Sequence, residues 1–279
     1  MARPSAAEKR TVFRDLHKAG CFVIPNPWNP GSARYLQSLG FKALATTSSG
    51  YAHSRAFSDG EVTRDMVLAH CREIAEAADV PVNADFENGY SDDLGALADN
   101  VRACVETGVA GLSIEDFTGD ENAPLYDIAA ASKRVRTARE AIGNSGVLLT
   151  GRAEGFLHGK PDLDDAIRRL KAFADAGADC LYAPGIRTRE QIETLVKAVA
   201  PMPVNLLMST ASGLTVKDVE AIGVRRVSVG GTLARVAMHA FIKAAREIAE
   251  TGQFDSFAGT ISNAELNAFF ETDRARRAQ

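Results

Sequence analysis

Asp85 and Glu87 stand two residues apart where a short apolar run, Val82-Asn83-Ala84, gives way to an Asn88-Gly89 turn. Residues two apart on a strand point to the same face. The two carboxylates are therefore aimed side by side at a strand's C-terminal end. Like charges that close repel unless a cation lies between them, and an all-oxygen cluster suits a hard ion such as Mg²⁺. The competing reading is a turn whose acids are merely solvated. More acids follow the same pattern: Glu115 and Asp116 close the run Gly111–Ile114, and Asp59 lies on a loop further up the chain. Four acids (Asp59, Asp85, Glu87, Glu115) around one point carry too much charge without a cation. Mg²⁺ takes one or two carboxylates directly and keeps several waters, so Asp85 is expected as the direct ligand and the other three as partners through water. Mn²⁺ is the alternative ion.

Arg152 and Glu154 end another apolar run, and Ser49-Gly50 ends a further one. A glycine after a strand lets backbone N–H groups approach an anion. Arg152 supplies a planar fork that matches a carboxylate or an enolate oxygen pair. Metal, amide nest and arginine together describe a site for a small 2-oxo carboxylic acid. The ion would chelate the keto and carboxylate oxygens and stabilise the enolate formed when a bond at C3 breaks. A structural ion pair of Arg152 with Glu154 or Glu115 is the plainer alternative.

The elements that must position these groups alternate regularly. A capping box at Ser5–Glu8 opens a helix running to about Ala19, and a strand follows at Phe22–Ile24. A helix at Ser32–Leu39 leads to a strand at Phe41–Thr46. Helices at Thr63–Ala78, Asp92–Thr107, Ala129–Ile142, Leu163–Ala176, Thr188–Val199 and near Val216–Ala221 lead in turn to strands at Val82–Asp85, Gly111–Glu115, Val147–Gly151, Cys180–Ala183, Val204–Leu207 and Arg226–Val229. A long helix from Leu233 to about Glu250 closes the series. Eight repeated strand–helix units predict an α/β fold with a parallel (β/α)₈ TIM barrel, a doubly wound open sheet being the alternative. Helix-stop glycines recur before strands at Gly40, Gly108, Gly177 and Gly223, and Pro-Val-Asn opens a strand at both 81–83 and 203–205. The whole chain, 1–279, reads as one barrel domain, with its core at about 22–250 and a helical tail at 251–279. The tail has its own capping box, Ser262–Glu265. Phe269 and Phe270 on it require burial, against their own barrel or, as the sharper expectation, against a neighbouring subunit. The basic run Arg274-Ala275-Arg276-Arg277 reads as a frayed end. Active sites of such barrels sit at the C-terminal strand ends, which is where all the acids named above fall.

Composition narrows the function class. The 279 residues carry 32 Lys and Arg against 36 Asp and Glu, a formal net charge of −4, with no strongly basic segment. Nucleic-acid binding is not expected. Cys21, Cys71, Cys104 and Cys180 show no C-x-x-C spacing, which argues against a zinc or redox motif and for reduced, buried thiols. No apolar run approaches membrane-spanning length and no signal-peptide pattern opens the chain. The expectation is a cytoplasmic protein that does not engage membranes.

Four segments in order, the Ser49-Gly50 turn, Asp85-Phe86-Glu87-Asn88-Gly89-Tyr90, Gly111-Leu112-Ser113-Ile114-Glu115-Asp116 and Leu149-Thr150-Gly151-Arg152-Ala153-Glu154, resemble the isocitrate lyase/phosphoenolpyruvate mutase superfamily over about Phe22 to Ile248. The resemblance implies a Mg²⁺-dependent (β/α)₈ enzyme acting on 2-oxo acids. It also implies a homo-oligomer, a dimer or a homotetramer, in which the eighth helix is exchanged between subunits. By motif, Asp85 matches the metal ligand, and Asp59, Glu87 and Glu115 match the water-mediated shell. Ser49, Gly50 and Arg152 match the substrate-binding groups, with Trp28, Tyr51 and Asn205 expected near the pocket. The departures are as informative. The lyases' Lys-Lys/Arg-Cys-Gly-His segment is replaced by Phe117–Tyr126, which holds no Cys, His or Lys. That excludes isocitrate lyase chemistry. The phosphonate enzymes' loop Lys is also missing. Their His after the sixth strand is missing too, with Tyr182-Ala183-Pro184-Gly185 in its place. The expected activity is a C–C lyase or decarboxylase of an oxaloacetate-like substrate, with Arg152, Glu115 and Glu154 as catalytic groups. Glu154, His53 and His158 are the candidate proton donors. A phosphonopyruvate hydrolase or phosphoenolpyruvate mutase is the alternative within the superfamily, and a non-catalytic 2-oxo-acid-binding protein the alternative outside enzymes.

Overall fold

Side-chain caps set the helix starts. Ser5, Asn29, Thr188, Thr215 and Ser262 each form a reciprocal capping box, and Thr47, Thr63, Asp93, Asp127 and Asp162 each accept a backbone N–H from the first turn. These bonds satisfy amides that a helix leaves unpaired. The computed structural model describes residues 3–278. After α1 (Ala6–Leu16) come β1 (Phe22–Ile24), α2 (Pro30–Ser38), β2 (Leu44–Ala45), α3 (Ser48–Ser54), α4 (Arg64–Ala77), β3 (Val82–Ala84), α5 (Leu94–Val105) and β4 (Gly111–Glu115). The series continues with α6 (Ile128–Ile142), β5 (Leu148–Arg152), α7 (Leu163–Asp175), β6 (Cys180–Tyr182), α8 (Arg189–Val199), β7 (Val204–Leu207), α9 (Val216–Ile222) and β8 (Arg226–Ser228). The long α10 (Thr232–Thr251) and, after a short 3-10 turn, α11 (Asn263–Arg277) complete it.

All strand pairs are parallel, in the order β1-β8-β7-β6-β5-β4-β3-β2. This is the expected (β/α)₈ barrel. Among the described residues no ladder joins β1 to β2. The seam is closed instead by Ala45 N–H, which donates to the Pro25 carbonyl at 3.1 Å, and by Asn26. The Asn26 amide donates to the Thr46 carbonyl at 2.9 Å, and its oxygen accepts from Val229 N–H at 3.0 Å. That seam explains the first departure from expectation. β2 spans Leu44–Ala45 rather than Phe41–Thr46, because it has a ladder on one side only and because Thr47 already caps α3.

Outward-facing strand residues such as Val82, Leu112, Leu149, Leu181 and Val204 pack under Ile74, Val101, Val135, Leu170 and Leu195 of the surrounding helices. α1 closes the N-terminal end of the barrel. Its Phe13 is fully buried in a small cluster with Phe22, Ile24 and Leu148. α1 ends at Leu16, earlier than expected, where His17 is drawn inward. His17 Nδ1 lies 2.7 Å from the Phe13 carbonyl, and Nε2 lies 3.3 Å from the Arg226 guanidinium.

Phe269 packs edge-on against Tyr35, 5.1 Å between centroids, and a Cβ at Gly31 would meet the Phe270 ring at 3.6 Å, so both rings reach their own barrel while staying partly exposed. The tail corrects one expectation. The basic run is helical rather than frayed. Arg277 donates to the Glu76 carbonyl at 3.0 Å, and Asp273 holds Arg34 with bonds of 2.7 and 2.5 Å. α10 behaves differently. It buries no residue, and Val236 and Phe241 are 61% and 66% exposed. No helix among the described residues is long and apolar enough to cross a membrane.

Burial and the Arg226 charge hold His17 down to about 3, and burial holds His70 down to about 4. The unfolded chain takes up these protons near pH 6.5 while the folded chain does not. Stability from each is therefore present above that pH and lost as pH falls toward the folded value. Between pH 7 and pH 5 each contributes a loss of about 2 kcal/mol. His17→Gln should flatten the pH dependence of the urea unfolding free energy by about that amount. An unchanged slope would show that His17 is not held neutral.

Candidate active site

β4 and β5 pair in register with Glu115 beside Arg152, and β5 and β6 pair with Arg152 beside Tyr182. Because both strands end there, the Arg152 guanidinium is drawn into the barrel mouth among acids. It bonds Asp85 at 2.5 Å, Glu154 at 2.9 Å and Glu115 at 3.0 Å. Glu115 and Glu154 are buried, at 8% and 2% exposure. Asp85 accepts in addition from Ser48 N–H, the first amide of α3, at 3.0 Å. The Ser49-Gly50 turn is thus the first turn of a short helix rather than a loop. Gly50 N–H is occupied by Thr47 Oγ1 at 3.3 Å, and a Cβ at Gly50 would meet Thr47 Cγ2 at 2.6 Å. Close packing, not loop conformation, requires that glycine.

Glu87 sits on the loop between β3 and α5 and accepts from the Tyr90 hydroxyl at 2.8 Å. Burial, Asp85 and Asp59 push its carboxyl up to about 7. Desolvation at the cavity rim and the Asp85 charge push Asp59 up. Burial raises Glu115 well above the usual carboxylate range; Arg152 opposes the shift, and Glu154, Asp85 and Glu87 add to it. Arg152 stays charged because three carboxylates outweigh its burial. Three carboxylates thus share one guanidinium, with Asp59 and Glu87 close by, and repulsion among the acids adds to burial in raising Asp59, Glu87 and Glu115. An all-oxygen donor set with surplus negative charge fits a hard divalent cation. Among the described residues no three acid, histidine or cysteine side chains converge as direct ligands.

The cavity above this cluster has a volume of about 270 Å³ and is walled by Ser49, Asp59, Asp85, Arg152, Tyr182 and Asn205, among others. Glu87, Glu115 and Glu154 stand behind that wall. Trp28 and Gly50 line a separate apolar groove against α10 with His53, and Tyr51 stacks on His70 at 4.0 Å, so these residues are not gathered at the cavity. His158 stacks on Phe117 at 3.8 Å, at the base of the loop after β4. Asp116, named in the sequence as a strand-end acid without a role, takes a structural one. Asp116 accepts from Glu154 N–H at 2.8 Å and from Arg169 at 3.0 Å, which fixes the backbone that carries Glu154. Inward alternation on the strands, the signal that locates Asp85, would also have located Asn83, Ser113, Thr150, Arg226 and Ser228. Arg226 is buried without a carboxylate partner among the described residues, bonded to Asn205 at 2.8 Å and Thr150 at 3.0 Å.

The family model described as phosphoenolpyruvate phosphomutase matches residues 13–249. The chain belongs to the phosphoenolpyruvate phosphomutase family. With it the chain falls in the phosphoenolpyruvate mutase/isocitrate lyase superfamily. An uncharacterised protein of Mycobacterium tuberculosis is 32% identical over 92% of this chain and 95% of its own length. The oxaloacetate decarboxylase of Paraburkholderia xenovorans is 30% identical over 73% of this chain and 69% of its own. The crystal structure of a candidate lyase/mutase from Burkholderia cenocepacia J2315 superposes with a TM-score of 0.92 at 43% identity, covering 95% of this chain and 97% of that one. The barrel and its alternation are thus those of the phosphoenolpyruvate phosphomutase family.

Replacing Arg152 by Met leaves Glu115 and Glu154 buried without a cation, which costs about 3–5 kcal/mol of stability for a broken buried pair. The loss should shrink as pH is lowered, because protonated carboxyls no longer repel. Urea unfolding of Arg152→Met at pH 8 and pH 6 checks both; equal stability to the parent at pH 8 would exclude a central charge role for Arg152.

Proposed function

We propose that the chain is a divalent-metal-dependent carbon–carbon lyase that decarboxylates a small 2-oxo acid of the oxaloacetate type. The observation that carries this reading is the surplus of carboxylates around Arg152 at the mouth of the barrel. Similarity to an oxaloacetate decarboxylase supports the substrate class. On this reading Asp85 holds Mg²⁺ directly, while Asp59, Glu87 and Glu115 hold its waters; Mn²⁺ would serve in its place. The bound ion supplies Lewis acidity toward the 2-oxo and carboxylate oxygens.

The protein's own groups do the rest. Arg152 faces the charge that develops on the substrate as carbon dioxide leaves, and Glu115 and Glu154 fix its fork. Ser49 and Asn205 offer hydrogen bonds from opposite walls of the cavity. Tyr182 brings its ring within 5.2 Å of the guanidinium carbon, and burial keeps its phenol protonated. It is a neutral hydrogen-bond donor on that wall beside Ser228, too weak an acid to lead proton transfer, so protonation at C3 falls to solvent. The loop 117–126 contributes no Lys, Cys or His, which disfavours phosphonate chemistry and isocitrate cleavage alike.

Purified protein with Mg²⁺ should convert oxaloacetate to pyruvate and carbon dioxide and lose the activity to a chelator. Asp85→Ala should lower turnover by at least about a hundredfold while the barrel stays folded. Turnover of phosphonopyruvate with none of oxaloacetate would overturn the reading.

We also propose that barrel and tail form one domain and that the chain works as a homo-oligomer whose contact is the uncovered apolar face of α10, met by a second copy. Exposed apolar area of this extent on one helix calls for a cover. Phe241→Glu should therefore lower the mass measured by light scattering, and an unchanged mass would remove α10 from the interface.

A further inference from the structure

The loop that carries Glu87 is held in an unfavourable conformation. Glu87 and Tyr90 adopt φ of +46° and +60°, a region that side chains rarely enter, and Gly89 adopts +80°. A Cβ at Gly89 would lie 2.1 Å from Leu97 Cδ1, so only glycine fits there. Side chains kept at positive φ are strained, and such strain persists only where the surroundings over-determine it.

The Glu87 carbonyl accepts from Glu115 N–H at 3.0 Å, and the carbonyls that follow in the turn are gathered by Arg134, on α6. Arg134 is 2% exposed and has no carboxylate partner among the described residues. Its Nη2 donates to the Asn88 carbonyl at 2.5 Å and the Ser91 carbonyl at 2.6 Å, and Nη1 donates to the Asp92 carbonyl at 3.3 Å. One guanidinium thus gathers three carbonyls of a single loop. Its carbon also lies 4.5 Å from the centroid of the Tyr126 ring, at the far end of the loop after β4, and the Tyr126 hydroxyl bonds Asp92. The guanidinium makes no bond to a carboxylate among the described residues, and burial outweighs the favourable Asp92 charge, so its bonds act on the shape of the loop. Asn100 adds a single bond, 2.9 Å to the Gly89 carbonyl.

We infer that Arg134 is a positioning residue that holds Glu87 at the height where its carboxylate meets a water of the bound divalent ion. The inference rests on the reading of Glu87 as a carboxylate that holds a metal water. It adds to that reading a residue on the outer helical layer, remote from the cavity, that sets metal affinity. Lys has one donor group where Arg has a fork, so it can serve one or two of the carbonyls but not all three. Met keeps the stem and removes every donor.

The test uses Mn²⁺ titrated into the full chain and followed by electron paramagnetic resonance, together with amide hydrogen exchange of metal-free protein over residues 86–93. Arg134→Met should weaken Mn²⁺ binding by about 10-fold or more, in the range found when groups behind a metal ligand are removed. Arg134→Lys should fall between the two, and it carries the test if the Met variant does not fold. Exchange over 86–93 should speed up in both variants. A folded variant with lowered Tm but parental Kd for Mn²⁺ would overturn the inference, since a merely structural role predicts that result. If the parent binds no Mn²⁺, the metal reading fails instead, and exchange decides the loop's dependence on Arg134: an unaltered rate in the variants overturns that as well.

Discussion

Charge imbalance around Arg152 is the constraint on which the rest of the site depends. A guanidinium can satisfy two or three carboxylates, and here Asp85, Glu115 and Glu154 use it directly. Asp59 and Glu87 add charge that it does not bond, and burial first, then the Asp85 and Asp59 charges, raise the Glu87 carboxyl. Buried acids of this number oppose folding unless something compensates them. The barrel accepts the cost in a place where a cation and an anionic substrate can share the compensation. Binding and stability are therefore coupled at this site, since any ligand that binds only the folded chain raises its stability.

The parallel register makes such a cluster feasible. Glu115 and Arg152 are neighbours because β4 and β5 pair without offset, and both side chains point inward by the two-residue period of a strand. Charges held by paired strands are harder to displace than charges on loops, which is how functional groups are kept within a fraction of an ångström. Below them the interior is polar rather than aliphatic. Asn205, Thr150 and Arg226 are tied to each other and, through His17, to the helix that closes the far end. The site is thus braced from beneath by hydrogen bonds that are directional, where apolar packing would hold volume but not orientation.

Much of this was legible in the sequence because it follows from period and punctuation. Apolar runs bounded by glycines at Gly40, Gly108, Gly177 and Gly223 gave the strand–helix alternation, and all four glycines adopt positive φ. The two-residue spacing put Asp85 and Glu87 at one strand end. What stayed hidden depends on partners far along the chain. Ser48–Ser54 read as a loop because four small residues carry no apolar periodicity, yet Thr47 caps it as a helix. Trp28 and Tyr51 fall near the site in sequence order, but packing turns them toward α10 and His70. The docking of α11 rests on the Arg34–Asp273 pair, 239 residues apart, which no local pattern can announce. Arg134 has the same character: its role exists only once three carbonyls of another loop are folded over it.

The loop after β4 shows what such a barrel can change without rebuilding its core. Phe117 bridges Leu125, and Thr118 N–H donates to the Pro124 carbonyl at 2.9 Å, so residues between them form a small self-contained hairpin. Arg169 pins its base by bonding both Asp116 and the Tyr126 carbonyl, and Arg134 lies against the Tyr126 ring. The exposed tip, Gly119-Asp120-Glu121-Asn122, carries no Lys, Cys or His. Chemistry that elsewhere would be delegated to a loop must therefore come from strand ends. Strand ends are rigid, and they favour a reaction in which developing charge is stabilised over one in which a new group has to be delivered. Decarboxylation is of the first kind: the bond breaks once the electrons have somewhere to go, and little else need move. A fixed base for the loop and a chemically quiet tip leave selectivity to the shape of the cavity, whose described wall includes no residue of 117–126.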